Sequence, residues 1–259
     1  MSRLHLDFDC DGTRLAGTLD TAPGATGLLL VTGGNEIRAG AFSGQAALAA
    51  RIAAAGFPVF RFDRRGVGDS DGENRGFRGA NRDIASALAA FRAIAPRVDR
   101  VVGFGNCDAA SALMLSSGAG CDALVLSNPW TIEDVGDEGP PPAAIRARYV
   151  AKLKNPRELE RLVTGGVSLG KLAKGIIRAT RPKSAPTTLA AEMAACLAQF
   201  PGPVRIILAG ADRTAQAFAE RWDDADPRVR SCERAGHAWV EPHAREFLHG
   251  QLTEMLVGS

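Results

Sequence analysis

Apolar and polar residues alternate with a period of two in the opening segments Leu4–Asp9 and Leu15–Leu19, which flank Asp11-Gly12. Two half-buried stretches around an Asp-Gly turn predict a β-hairpin. The pattern then changes to short apolar runs at Gly27–Thr32, Pro58–Phe62, Arg100–Phe104, Ala123–Ser127, Val204–Ala209 and Val229–Cys232. Stretches of helical periodicity lie between them and predict helices over Gly44–Ala55, Arg82–Ala95, Asp108–Ser117, Thr214–Trp222 and Pro242–Leu256. Buried strands alternating with helices predict an α/β fold, a mostly parallel eight-stranded sheet with helices on both faces.

The alternation stops between about Trp130 and Phe200, a stretch with helical patches and Gly139-Pro140-Pro141-Pro142 but no strand pattern, and resumes afterwards. Because strands return, the expected organisation is one core domain, residues 1–129 and 201–259, carrying a helical lid insertion at 130–200. Within that insertion, residues 140–185 hold eleven basic side chains against Glu158 and Glu160, a local +9 that leaves −7 on the rest of a chain whose net charge is +2. Such a stretch is either a solvated helical face or a surface that attracts an anionic substrate, a carrier or a membrane surface. Its few aromatic residues argue against nucleic acid as the partner.

Composition narrows the class further. With 259 residues, 46% of them hydrophobic and 23% charged, the chain supports one sizeable core and is neither fibrous nor disordered. No apolar run reaches the roughly 18–20 residues that a membrane-spanning helix needs. The opening MSRLHLDFDC has no signal-peptide core, so a cytoplasmic location is expected. Cys10, Cys107, Cys121, Cys196 and Cys232 are scattered singly, with no C-x-x-C pair and no histidine spacing that suits zinc, so neither a disulfide framework nor a metal is expected.

The candidate chemistry lies in Gly103-Phe104-Gly105-Asn106-Cys107-Asp108-Ala109-Ala110-Ser111, between a predicted strand and a predicted helix. A nucleophile on such a sharp turn needs small residues two positions before and after it, and Gly105 and Ala109 meet that need. The helix N-terminus favours a thiolate at Cys107, and the Asp108 N–H points where an oxyanion would develop. Asp212 follows the Val204–Ala209 strand and is either an acid partner or the N-cap of the next helix; His237 follows the last strand. Glu133 and Asp134 are the fallback acids, while His5, His243 and His249 read as surface or packing residues.

These residues resemble the nucleophile elbow of the α/β-hydrolase superfamily, with cysteine in the commoner serine's place and Ala109 in that of the second glycine. Asp63-Arg64-Arg65-Gly66-Val67-Gly68-Asp69-Ser70 looks like that superfamily's D-x-R-G-x-G-x-S loop, and Gly33-Gly34-Asn35 takes the place of its His-Gly-x oxyanion segment, without the histidine. The order nucleophile, acid, histidine also matches. The resemblance implies the α/β-hydrolase fold, a Cys107–His237–Asp212 triad, no cofactor, and an oxyanion hole formed by the N–H of Asp108 with that of Gly34 or Asn35. The implied substrate is a small-molecule ester or thioester, and the implied reaction is hydrolysis through a thioester acyl-enzyme. The alternatives are an acyltransferase with an anionic donor, because thioesters resist water more than amines or thiols, and a catalytically silent binding protein on the same fold. More narrowly, G-G-x-x-x-R-A-G at Gly33–Gly40, G-x-C-D-A-A-S at Gly105–Ser111 and G-x-D-x-T-A-Q at Gly210–Gln216 resemble the exosortase A system-associated hydrolases.

A lid that gathers anionic substrate through its +9 charge makes turnover of a charged substrate fall with added salt, while a neutral ester is little affected. Initial rates across a salt series check this; an equal response for both substrates assigns the charge to solvation.

Overall fold

A computed structural model of the chain describes residues 2–132 and 187–258. Eight strands are present: β1 (Arg3–Cys10), β2 (Thr13–Asp20), β3 (Thr26–Val31), β4 (Val59–Phe62), β5 (Arg100–Asn106), β6 (Ala123–Ser127), β7 (Val204–Ala209) and β8 (Val229–Cys232). They form one sheet in the order β1-β2-β4-β3-β5-β6-β7-β8. The β1–β2 and β2–β4 pairs are antiparallel and all others parallel. The first turn is the one the Asp-Gly pair predicts: Asp11 and Gly12 both have positive φ, 52° and 78°, as a two-residue hairpin with right-handed strand twist requires.

Six helices flank the sheet among the described residues: α1 (Gly44–Ala54), α2 (Asn81–Ile94), α3 (Asp108–Leu115), α4 (Thr188–Leu197), α5 (Arg213–Arg221) and α6 (Pro242–Val257). Side chains of a strand point alternately to its two faces, and β3 shows the consequence. Leu29 and Val31 join the core that α2, α3, α4 and α5 cover, whereas Leu28 and Leu30 join the core under α1 and α6. Each face of the sheet thus has its own apolar cluster, and Phe60 and Phe91 stack in the first with ring centroids 5.6 Å apart.

The lid expected over 130–200 lies mostly outside the described residues, as do its eleven basic side chains and the fallback acids Glu133 and Asp134. Its last part is core-forming. Thr187 caps α4 by accepting from the Ala190 N–H at 3.1 Å, and Leu189, Met193 and Leu197 are buried in the cluster that contains α3.

The loop after β4 holds the molecule together through buried charge. Asp63 is fully buried and accepts from the backbone N–H groups of Arg38, at 2.5 Å, and Asp69, at 3.0 Å, and from the Arg38 guanidinium. Gly68 is required there, because its φ is 58° and a Cβ would lie 2.3 Å from Asp63 Oδ2. The Ser70 hydroxyl donates to the Asp63 carbonyl and accepts the Ala16 N–H, tying the loop to β2. Arg65 donates from Nε to Asp83 Oδ1 at 2.7 Å, joining the loop to α2.

The Arg65 and Asp83 side chains are only 5% and 2% exposed, so Asp83→Ala leaves an uncompensated buried cation. The expected loss of stability is about 3–5 kcal/mol, read as a lower urea midpoint at unchanged m; a loss under about 1 kcal/mol, the size of a surface pair, contradicts the assignment.

Candidate active site

Strand order turns outward in both directions from β3 and β5, which leaves a crevice at their C-terminal ends; such switch points hold the ligand sites of open α/β sheets. The loop after β3 carries Gly33, Gly34 and Asn35, and the turn after β5 carries Cys107. Gly33, Gly34, Asn35, Cys107 and His237 line a single cavity of about 770 Å³.

Cys107 sits between β5 and α3 with φ 62° and ψ −128°, a conformation that costs a non-glycine residue of order 1–3 kcal/mol. The surroundings enforce it. Its N–H donates to the Ser127 carbonyl at 2.9 Å, and α3 starts at the next residue. A Cβ at Gly105 would lie 2.6 Å from the Ala109 carbonyl carbon, and Ala109 itself is fully buried, so both positions flanking the turn need minimal side chains.

His237 lies in the loop between β8 and α6, and its Nδ1 is 2.9 Å from Asp212 Oδ2. Asp212 is the N-cap of α5, accepting the N–H groups of Thr214 at 3.2 Å and Ala215 at 3.1 Å, and its Oδ2 also meets the His237 ring. The hydrogen bond to Asp212 chiefly, and that to Cys107 next, raise the His237 pKa to about 10 against the opposing effect of burial. Both contacts favour the charged ring, and with Nδ1 on Asp212 its Nε2 is left to face Cys107. Because the folded value is raised, this contact stabilises the fold fully below pH 6.5 and is lost as pH rises through about 10.

The Gly33-Gly34-Asn35 segment lines the cavity beside Cys107. The Gly34 N–H, a candidate donor, is already bonded to Asp108 Oδ1 at 2.6 Å. The Asp108 N–H opens α3 and so has no intrahelical acceptor. Asn35 has its side chain turned to Asn74, whose Nδ2 donates to Asn35 Oδ1 at 2.8 Å.

Several positioning residues went unread in the sequence. Asn106 donates from Nδ2 to the His237 carbonyl at 3.2 Å, and its Oδ1 accepts from the Ser127 hydroxyl and the Asn128 amide. Ser127 Oγ accepts the Trp239 indole N–H at 2.9 Å, so the histidine loop is fastened to the ends of β5 and β6. The available signal was position: Asn106, Ser127 and Asn128 are polar residues ending apolar parallel strands. The segments that carry the narrower sequence resemblance have structural work here too: Arg38 binds Asp63, and Gln216 Nε2 donates to the Gly210 carbonyl at 2.9 Å. His5 is on β1, where it meets Thr18 at 3.1 Å; His243 and His249 are on α6, the former meeting the Glu233 carbonyl at 3.0 Å. Among the described residues no group of three or more His, Cys, Asp or Glu could hold a metal, and no helix is long and apolar enough to cross a membrane.

A family model described as "Alpha/beta hydrolase family" matches residues 28–249. The Pyrococcus furiosus esterase Pf2001 shares 15% identity and a TM-score of 0.64, over 99% of this chain and 90% of its own. Est1E of Butyrivibrio proteoclasticus, solved with ferulic acid bound, shares 15% identity at a TM-score of 0.57, over 97% of this chain and 98% of its own. The thioesterase domain of the curacin biosynthetic pathway shares 11% at 0.56, over 99% of this chain and 100% of its own. No curated protein matches the chain.

Replacing Cys107 by Ala removes the second largest cause that raises His237, so in the variant the imidazole titrates below its wild-type value of about 10. NMR of the His237 ring protons measures both; identical titrations would take Cys107 out of contact with the ring.

Proposed function

The chain belongs to the alpha/beta hydrolase family, and we propose that it hydrolyses carboxylic esters or thioesters with Cys107 as nucleophile, His237 as acid and base, and Asp212 as the orienting carboxylate. The observation that carries this reading is the shared cavity. Cys107, held at the β5–α3 turn, and His237, anchored by Asp212, open onto it together.

The chemistry follows from that pairing. As Cys107 Sγ adds to the acyl carbonyl carbon, its proton resides on the His237 ring, and the C=O π pair moves to oxygen, beside the N–H groups at the start of α3. Collapse re-forms the carbonyl and breaks the bond to the leaving oxygen or sulfur, which takes the proton of the His237 imidazolium. The product is a thioester on Cys107. Acylation also removes the Cys107 contact that helps raise His237, so the ring becomes a better match for general-base work near neutral pH. The neutral imidazole then takes a proton from water as the hydroxyl adds to the thioester; the C–S bond breaks, the thiolate leaves, and the imidazolium is restored. Asp212 holds one tautomer throughout and stabilises the charged ring.

Cavity lining supports an apolar acyl group. Phe42, Leu48, Phe104, Trp239, Val240 and Leu248 contribute walls, and pockets of this size that are mostly apolar bury small ligands well. An esterase and a thioesterase among the structural neighbours are in keeping with the same substrate class.

Wild-type protein is expected to hydrolyse 4-nitrophenyl acyl esters with a chain-length optimum, and Cys107→Ala to lose at least about 10³-fold in kcat, as removing a nucleophile does. Stopped assays across the ester series measure this. Retained turnover in the variant would refute Cys107 as nucleophile, and a flat chain-length profile would refute the apolar acyl pocket.

A further inference from the structure

Arg64 is the one residue of the β4 loop whose role neither the fold nor the proposed triad absorbs. Its side chain is only 3% exposed, yet its Nε and Nη1 have no hydrogen-bond acceptor among the described residues. Burying a guanidinium with most of its donors unpaired is costly. Its remaining nitrogen, Nη2, has two neighbours: it donates to the Gly34 carbonyl at 2.5 Å and lies 3.6 Å from Asp108 Oδ2. The same carboxylate accepts the Gly34 N–H at 2.6 Å. Gly34 is therefore gripped on both sides, its N–H by Asp108 and its carbonyl by Arg64, at φ 53°.

The grip has a geometric consequence. Every peptide bond described is trans, so the carbonyl of Gly34 and the N–H of Asn35, which belong to one planar unit, point in opposite directions. Arg64 is not part of the cavity wall, whereas Gly34, Asn35 and Cys107 are. The Asn35 N–H thus points away from Arg64, and Asn35, whose side chain is held by Asn74, is exposed and lines the cavity.

We propose that Arg64, acting with Asp108, is a positioning residue that locks the Gly34–Asn35 peptide so that the N–H of Asn35, and not that of Gly34, meets the oxyanion together with the N–H of Asp108. Arg64 has a second effect in the same place: it offsets the Asp108 carboxylate, whose negative charge would otherwise oppose an oxyanion forming close by. The inference rests on Cys107 being the nucleophile, and its test separates the two.

An alkyl trifluoromethyl ketone is the probe, since addition of the Cys107 thiolate forms a C–S bond and leaves the former carbonyl oxygen as an oxyanion. In amide NMR of the wild-type protein, the Asn35 and Asp108 N–H protons are expected to move downfield on adduct formation, while Gly34 keeps its shift. In ester hydrolysis, Arg64→Met is expected to lower kcat by about 10–100-fold, a large part of what losing one oxyanion donor costs, with KM within about twofold. Arg64→Lys, which retains a donor for the Gly34 carbonyl, should recover part of kcat and carries the test if the methionine variant does not fold, as judged by thermal melting. A downfield Gly34 proton with Asn35 unmoved would overturn the proposal while leaving Cys107 in place, and so would a folded Arg64→Met with unaltered kcat. If no adduct forms and iodoacetamide labels Cys107 no faster than the other four cysteines, the nucleophile assignment fails and this proposal with it.

Discussion

The closeness of β5 to α3 is the constraint on which the rest of the molecule depends. A strand and a helix meet there without a loop, and only Gly105 and the buried Ala109 leave room for the backbones to pass. That crowding forces Cys107 into positive φ and lifts its side chain off both elements. A strained residue persists only where its surroundings over-determine it. Here the Cys107 N–H is held by Ser127, the neighbouring Asn106 by Ser127 and Asn128, and the strands on either side by two separate apolar cores. The strain is a local cost borne by a rigid sheet.

Polar residues are placed accordingly. The interiors of β5 and β6 are apolar, and hydrogen-bonding groups gather at their C-terminal ends, where Asn106, Ser127 and Trp239 link three chain segments and fasten the His237 loop. Charge is handled differently on the two sides of the crevice. On the side of the β4 loop, Asp63, Arg65 and Asp83 are buried and paired, and they connect loops to β2 and α2. On the histidine side, Asp212 is buried, while the imidazole it meets is 43% exposed and lines the cavity.

Much of this was legible in the sequence, and the limits have physical causes. The hairpin was readable because Asp11-Gly12 dictates its own turn, and the strands because two-sided burial demands continuous apolar runs. Strand ends were less so: β5 runs on to the polar Asn106 because its ladder partner Ser127 continues, a fact that lies in another segment. Helix α4 was read as part of an insertion, since no strand flanks it closely, although it packs into the core. The order Cys107, Asp212, His237 was visible because each residue follows a strand, β5, β7 and β8 in turn, of one parallel sheet. The grip on Gly34 was not, because Arg64 and Asp108 lie 30 and 74 residues from it in the chain.

Asp212 has a consequence of its own. A single carboxylate starts α5 and orients the histidine, so helix nucleation and imidazole tautomer are set by the same two oxygens. On warming, fraying of the first turn of α5 frees the carboxylate to rotate, and the ring loses its orientation while the sheet is still intact. The same coupling ties two properties of the fold together: moving this carboxylate to another strand would also leave α5 without its cap.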